Sequence, residues 1–400
     1  MTETEKPNSL MNYGRNILIL CGILVLNSFA INIATPFIPI YIKNLGSTMT
    51  ELGIVFAIQK TLGALLQIPS GLLADRYGRK KIHALGVFLD IFPPIIYLLA
   101  KTWNDLIPGF MIAGIASGIY MPLRWTIVAD DSTVKKRAAA YSWVYLATII
   151  GGPVGSVIGG LIAEIYGIKS IFIVAFALLT TSFPLALIIR ETRKNPADPK
   201  SREDDPPRIN ATKGLASAVI VFSLINIAQG VGFGILQPTT SIFLVERFQV
   251  SLAIVGVVFA IGMSISSIIV QIPAGKIGDR YDRKKVMIIA TIIAGLSYAA
   301  FTVSQDVLQF TVFMFIGYGA YRFAWPATQA LVMDLTPPDR RGLVNGVVGT
   351  SFWIGVTLGS LLSGFLWQNI SIFFPYYVVG LSFMASAAMM LLIKSRALNN

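Results

Sequence analysis

Two kinds of charged residue in this 400-residue chain could do chemistry. The first is clustered: Asp75-Arg76-Tyr77-Gly78-Arg79-Lys80-Lys81 recurs as Asp279-Arg280-Tyr281-Asp282-Arg283-Lys284-Lys285. A carboxylate at the end of a helix can meet the positive N-terminus of another, and the arginine beyond it can reach a second acid. Asp130 and Asp334 stand at matching positions in the repeat as those acids. The second kind is isolated. Lys60, Asp90, Arg124 and Arg322 each interrupt a long apolar run, and ionisable groups in such surroundings are costly and usually functional.

Composition explains why the runs are apolar. Hydrophobic residues make up 54% of the chain and charged residues 13%, about half the usual charge of a soluble domain. The mean hydropathy is +0.69. That excludes an ordinary soluble enzyme, a disordered chain and a nucleic-acid-binding domain. One cysteine, Cys21, leaves no intrachain disulfide, and one histidine, His83, excludes a zinc site built from imidazoles. No metal site or cofactor is expected. The polar stretch Met1 to Tyr13 precedes an apolar block too long for a signal peptide, so the first helix is expected to be retained.

Crossing about 30 Å of hydrocarbon takes about 20 apolar residues. Twelve spans are predicted, at 16–42, 52–73, 82–100, 106–129, 139–164, 169–190, 215–245, 252–275, 285–303, 308–333, 342–367 and 371–393. Pro36, Pro39 and Pro238 are expected to kink the longer ones. The polar segment 191–214 reads as a linker between a first bundle, 1–190, and a second, 215–400. Of 32 Lys and Arg residues, 25 fall on the side of the termini and linker, against Lys43, Lys101, Lys169 and Arg247 opposite. The positive-inside rule then makes the termini and linker cytoplasmic. The net charge of +12 is accounted for by these loops, which can meet anionic lipid, with no nucleic acid partner.

The halves repeat. Gln67-Ile-Pro-Ser-Gly71 returns as Gln271-Ile-Pro-Ala-Gly275, and Pro122, Asp130, Gly151, Gly155 and Gly160 return as Pro326, Asp334, Gly355, Gly359 and Gly364, all 204 residues on. Six intervening spans leave both copies the same way up. Parallel six-helix repeats are a transporter architecture, with the substrate site where the halves meet.

Gly71-Leu-Leu-Ala-Asp75-Arg76-Tyr77-Gly78-Arg79-Lys80-Lys81 resembles the signature loop between helices 2 and 3 of the major facilitator superfamily, and it recurs at Gly275 to Lys285 with Asp282 in place of Gly78. The resemblance implies an all-α membrane protein of twelve helices in two parallel six-helix pseudo-repeats. It also implies a gate on the cytoplasmic side, built from Gly71, Asp75, Arg76, Arg79 and Asp130 and from Gly275, Asp279, Arg280, Arg283 and Asp334. In span 5, Gly151, Gly155, Gly159 and Gly160 resemble the superfamily's antiporter motif, with Ser156 at its usual proline. Small residues at this spacing let helices of opposite halves pack closely. Ala34-Thr-Pro-Phe-Ile-Pro-Ile-Tyr41, leading to Asn44-Leu-Gly46, is similar to the drug-export branch, although Met111 stands where that branch carries a basic residue.

Counted at 1.5 Å per residue from the basic side, Arg124 lies about 8 Å deep, Asp90 about 12 Å, Arg322 about 18 Å and Lys60 about 20 Å. Asp90 and Arg124 are close enough in depth to pair. Arg322 could face the cavity that spans 1, 4, 7 and 10 line in the superfamily, or bond to carbonyls or Gln229. Asn27, Asn32, Gln229 and Gln237 could bind a ligand or join helices. Three interior cations against one acid leave an excess of two positive charges, so an anionic group on the substrate is expected. The reading is a secondary transporter and not an enzyme, working as a monomer in the plasma membrane. It exports a small amphiphilic molecule in exchange for protons. An importer of a sugar, organic acid or other metabolite is the alternative on the same fold.

Overall fold

A backbone in hydrocarbon must satisfy its own hydrogen bonds, and a chain this apolar does so as helices. The computed structural model describes residues 14–132, 137–192, 215–334, 336 and 341–393. Among them lie sixteen α-helices and no strand. In the first half of the chain these are α1 (Arg15–Ala34), α2 (Ile38–Asn44), α3 (Met49–Tyr77), α4 (Arg79–Leu89), α5 (Phe92–Leu99), α6 (Ile107–Asp131), α7 (Arg137–Ile149), α8 (Gly151–Tyr166) and α9 (Lys169–Ile188). The second half holds α10 (Leu215–Phe248), α11 (Leu252–Phe259), α12 (Ser266–Arg280), α13 (Arg283–Ala299), α14 (Val307–Asp334), α15 (Arg341–Asn369) and α16 (Phe374–Leu391).

Several spans are broken where the sequence removes a backbone donor or a side chain. Thr35-Pro36-Phe37 separates α1 from α2, and Asp90 and Ile91 separate α4 from α5, whose first turn carries Pro93-Pro94. Ile150, before Gly151-Gly152-Pro153, divides α7 from α8. Pro238 is instead accommodated inside the 34-residue α10. A π-helical turn, Ala260–Ile265, joins α11 to α12 without any proline. Eleven segments have the length and apolar composition to cross a membrane, and α14, 28 residues long, takes the remaining place in the order. The chain is a multi-pass membrane protein.

Hydroxyl caps start two of the helices that begin on the face away from the termini. Thr48 and Glu51 form a reciprocal capping box on α3, and Ser251 Oγ accepts from Ile254 N to start α11. On that face the two halves of the chain are joined. Lys43 pairs with Glu246, Thr50 Oγ1 donates to Gln368 Oε1 at 3.0 Å, and Leu252 N donates to Glu164 Oε2 at 2.8 Å. Burial lowers the Lys43 ammonium below the ordinary lysine range. Deeper, α3 meets α15 as far as Thr61 Oγ1 and Thr357 Oγ1, 3.4 Å apart. A Cβ built on Gly71, Gly346 or Gly349 would meet nothing within 4 Å.

The glycines of the span 5 motif take two directions. A Cβ on Gly155 would come within 3.1 Å of Phe29 O, and Gly151 and Gly159 also face α1, the first helix of their own half. Only Gly160 and Gly152 look across, Gly160 toward Leu252 O at 2.8 Å and Gly152 toward Ser264. In α15, Gly355 and Gly359 press on α10 while Gly364 lies on Met49 of α3. The expectation that this stripe as a whole joins opposite halves is therefore corrected. At 3.6 residues per turn, positions i, i+4 and i+8 stay on one face, and the next residue turns by about 100° toward the partner half.

Candidate functional site

At the basic face, the last turn of α3 and the first of α4 hold the clustered charges. Arg79 pairs with Asp130 at the end of α6, and its Nη2 lies 3.6 Å from Asp75 Oδ1. Arg79 and Asp130 are largely buried, whereas the Asp75 side chain is two-thirds exposed. Arg76 stacks beside Tyr77, 5.4 Å from the ring centroid. All four charged residues belong to the first half of the chain, so this ion pair is complete while Gly71 faces open space. Glu191, which the sequence did not single out, closes the cluster. Its Oε1 accepts from Arg79 N at 2.9 Å and so caps α4. Nearby, Asn16 at the start of α1 accepts from Arg190 N at 2.8 Å and donates to Asp131 Oδ1 at 3.3 Å.

In the second copy, Arg283 opens α13. The surroundings of Gly275 and the side chains of Asp279, Arg280 and Asp334 lie outside the described residues, as do linker residues 193–214.

Three of the four isolated interior charges border two cavities, and Arg124 borders neither. One, of about 190 Å³, is bordered by Gln59, Lys60, Asp90, Tyr120, Gln237 and Trp353. The ammonium of Lys60 lies 5.7 Å from the centroid of the Trp353 ring, reaching from α3 to the opposite half. Asp90 sits at the break between α4 and α5, where it shares the cavity wall with Tyr120. The break places a lone acid at the edge of a cavity rather than inside a packed helix face. Asp90 forms no ion pair with Arg124 among the described residues. Arg124, one turn beyond Tyr120 on α6, instead lies over Trp125 at 4.8 Å, with Nε unpartnered. Similar depth on adjacent helices did not bring the two side chains together.

The second cavity, of about 170 Å³, lies between the halves and is bordered by Asn32, Thr148, Gly152, Ser264, Tyr318 and Arg322 among others. Arg322 Nη2 donates to Tyr318 Oη at 3.0 Å. Gln229 is not its partner, for Gln229 Nε2 donates to Ser386 Oγ at 3.0 Å and joins α10 to α16. Asn32 Nδ2 donates to Ser28 O at 2.7 Å. Asn27 is buried with neither side-chain polar atom bonded.

Two transmembrane halves with charged cavities at their junction can bind a solute and expose it to either side. The family model of the Major Facilitator Superfamily matches residues 20–226 and again 222–399. The chain belongs to that superfamily. It is a membrane transporter and not an enzyme. Among curated relatives it is similar to Multidrug resistance protein MdtG of Escherichia coli (strain K12 / DH10B), 26% identical over 344 residues, covering 83% of this chain and 82% of that protein. Multidrug resistance protein 2 of Bacillus subtilis (strain 168) is 24% identical over 374 residues, covering 91% of each. Among solved structures, a POT family transporter in complex with 5-aminolevulinic acid superposes with a TM-score of 0.81 at 14% identity, covering 98% of both chains. The nucleoside transporter NupG gives 0.72 at 15% identity, covering 95% of this chain and 99% of the other. At such identities these structures support the superfamily fold alone.

Proposed function

We propose that this chain is a proton-coupled exporter of a small amphiphilic molecule. It works as a monomer in the plasma membrane with its termini and linker on the cytoplasmic side. Residues 1–190 and 215–400 form two six-helix bundles that rock about the junction, with 191–214 between them. The observation that carries this reading is the pairing of a one-sided closure with a buried acid. Among the described residues the halves are joined by Lys43–Glu246 and Thr50–Gln368 on one face, and toward the other a Cβ on Gly71, Gly346 or Gly349 would meet nothing within 4 Å. Asp90 lies at a cavity that both halves border. A protonatable carboxylate there can exchange protons with each side in turn as the bundles move. Relatives named as multidrug resistance proteins favour export.

With the basic face open, solute enters from the cytoplasmic side and displaces a proton from Asp90. The bundles then close over Gly71, bringing the exposed Asp75 toward the opposite half, and the Lys43–Glu246 junction parts. The test is transport in proteoliposomes with an imposed pH gradient. Asp90→Asn should abolish gradient-driven accumulation while leaving solute exchange intact. Full gradient-driven transport by Asp90→Asn would overturn the coupling assignment, and uptake toward the terminus-bearing side would favour import.

A further inference from the structure

We propose that the cavity around Arg322 seats a carboxylate or sulfonate group of the transported solute. The proposal rests on the transport reading above and adds the chemical class of the ligand. The two cavities differ in charge. The one at Lys60 also contains Asp90, so it holds both signs. The one at Arg322 has no carboxylate among the described residues that border it. A guanidinium cannot practically shed its proton, and a buried cation without a counter-charge is costly. Among its five donors, one reaches Tyr318, and the buried Nε has no acceptor. The planar fork of an arginine suits two oxygens of one anionic group.

The surrounding groups complete such a seat. Tyr318 Oη accepts from Arg322, which leaves its own hydrogen free to donate toward the cavity. Ser264 borders the cavity from the π-helical turn Ala260–Ile265. Such turns shift the register of a helix and recur at functional sites. Here the turn faces Gly152 of α8, where a Cβ would come within 2.6 Å of Ser264 Oγ, so the absence of a side chain at 152 keeps this side of the cavity open. A volume of about 170 Å³ is much larger than a halide needs and admits an anionic group with several carbons attached. Both halves border it, so rocking would open the seat and release the anion.

Thermal unfolding of the full chain in phosphatidylcholine nanodiscs, without any gradient, tests this. The probes share one body: 4-butylbenzoate, neutral 4-butylbenzamide and (4-butylphenyl)trimethylammonium. Benzoate should stabilise the parent more than either analogue, and Arg322→Gln should weaken its apparent affinity at least about tenfold, the expected loss of a charge-assisted pair. Arg322→Lys should retain part of the response. Should Arg322→Gln fail to fold, Ser264→Phe, which fills the cavity and keeps the charge, should lose benzoate stabilisation. Equal stabilisation by the quaternary cation, or benzoate affinity unchanged in Arg322→Gln, overturns the proposal. Replacing a third of the lipid by phosphatidylglycerol separates a lipid headgroup from a solute. An unaltered benzoate response supports the solute, and an Arg322-dependent loss of it assigns the seat to lipid and overturns the solute. Because binding at equilibrium needs no coupling, failure here leaves the Asp90 reading standing, and failure of Asp90→Asn leaves this one standing.

Discussion

The two copies of the repeated basic loop start their helices by different means. In the second, Asp282 has φ −57° and caps α13 itself, with Oδ1 accepting from Lys284 N at 2.8 Å and Lys285 N at 3.3 Å. In the first, the matching residue is Gly78 at φ +101°, which has no side chain to offer. The cap on α4 arrives from Glu191, 112 residues later at the root of the linker. One helix start is therefore self-contained, and the other depends on where the end of α9 sits. An almost identical sequence repeat thus conceals one local and one long-range construction. The long-range one ties the charged cluster to the segment that follows α9.

The largest expected effect falls on the residue that holds the first copy together. Arg79→Ala leaves the buried Asp130 carboxylate unpaired and removes the neighbour of Asp75. Breaking a buried pair from one side costs about 3 kcal/mol or more. The unfolding midpoint of the purified protein should drop by several degrees and transport should be lost. An unchanged midpoint would mean that Asp130 finds another partner and that the cluster is not the keystone of this face.

Exchanging the cap residues separates the two constructions. Gly78→Asp forces a side chain into a backbone region that is almost confined to glycine, at about 1–3 kcal/mol. Its Cβ would lie 3.1 Å from Glu191 Cδ, and the new carboxylate would repel the old. Asp282→Gly, the reverse exchange, removes a cap whose replacement by glycine costs about a few tenths of a kcal/mol. Unfolding of both variants should show this asymmetry, and equal losses would refute the long-range cap. Glu191→Ala falls between the two, at about 1 kcal/mol for a lost cap. Glu191→Gln should recover much of it, because the amide oxygen still accepts from Arg79 N. Hydrogen exchange at the first turn of α4, faster in Glu191→Ala and not in Asp282→Gly, would locate the effect.

Much of this was legible in the residues, because the bilayer imposes a strong pattern. Span length, the 204-residue repeat and the bias of basic loops all follow from local composition. The similar depths of Lys60 and Arg322 near mid-membrane could be counted along the helices. What could not be counted was azimuth and partner choice. Asp90 shares a cavity wall with Tyr120 rather than pairing with Arg124, Gln229 turns to Ser386 rather than Arg322, and most motif glycines face their own half. Each depends on a rotation of about 100° per residue summed over broken helices, and Pro93-Pro94 and the π turn reset that sum. Lys43 and Glu246 were within reach. They stand 203 residues apart at nearly equivalent places in the repeat, and equivalent places close to a pseudo-twofold axis come near each other, where opposite charges pair.

Stability and transport should come apart most clearly at Asp75. Its side chain is two-thirds exposed, and its contact with Arg79 at 3.6 Å spans one helical turn. Exposed pairs of this kind contribute about 0–1 kcal/mol, so Asp75→Asn should leave the unfolding midpoint within about a degree or two of the parent. Arg79 remains neutralised by Asp130 in that variant, which keeps the first copy folded. Yet Asp75 is the acid of this cluster left facing the space beside Gly71, where closure would bring the opposite half. A carboxylate in that position can meet the positive end of a helix arriving from the other side, and asparagine offers no charge for it. Transport by Asp75→Asn, at equal membrane abundance, should therefore fall severalfold while stability holds. Asp279→Asn should be milder, since the second copy caps its own helix through Asp282. Parent-like transport by Asp75→Asn would make the first copy a structural anchor alone and leave the two copies different in construction but equal in function.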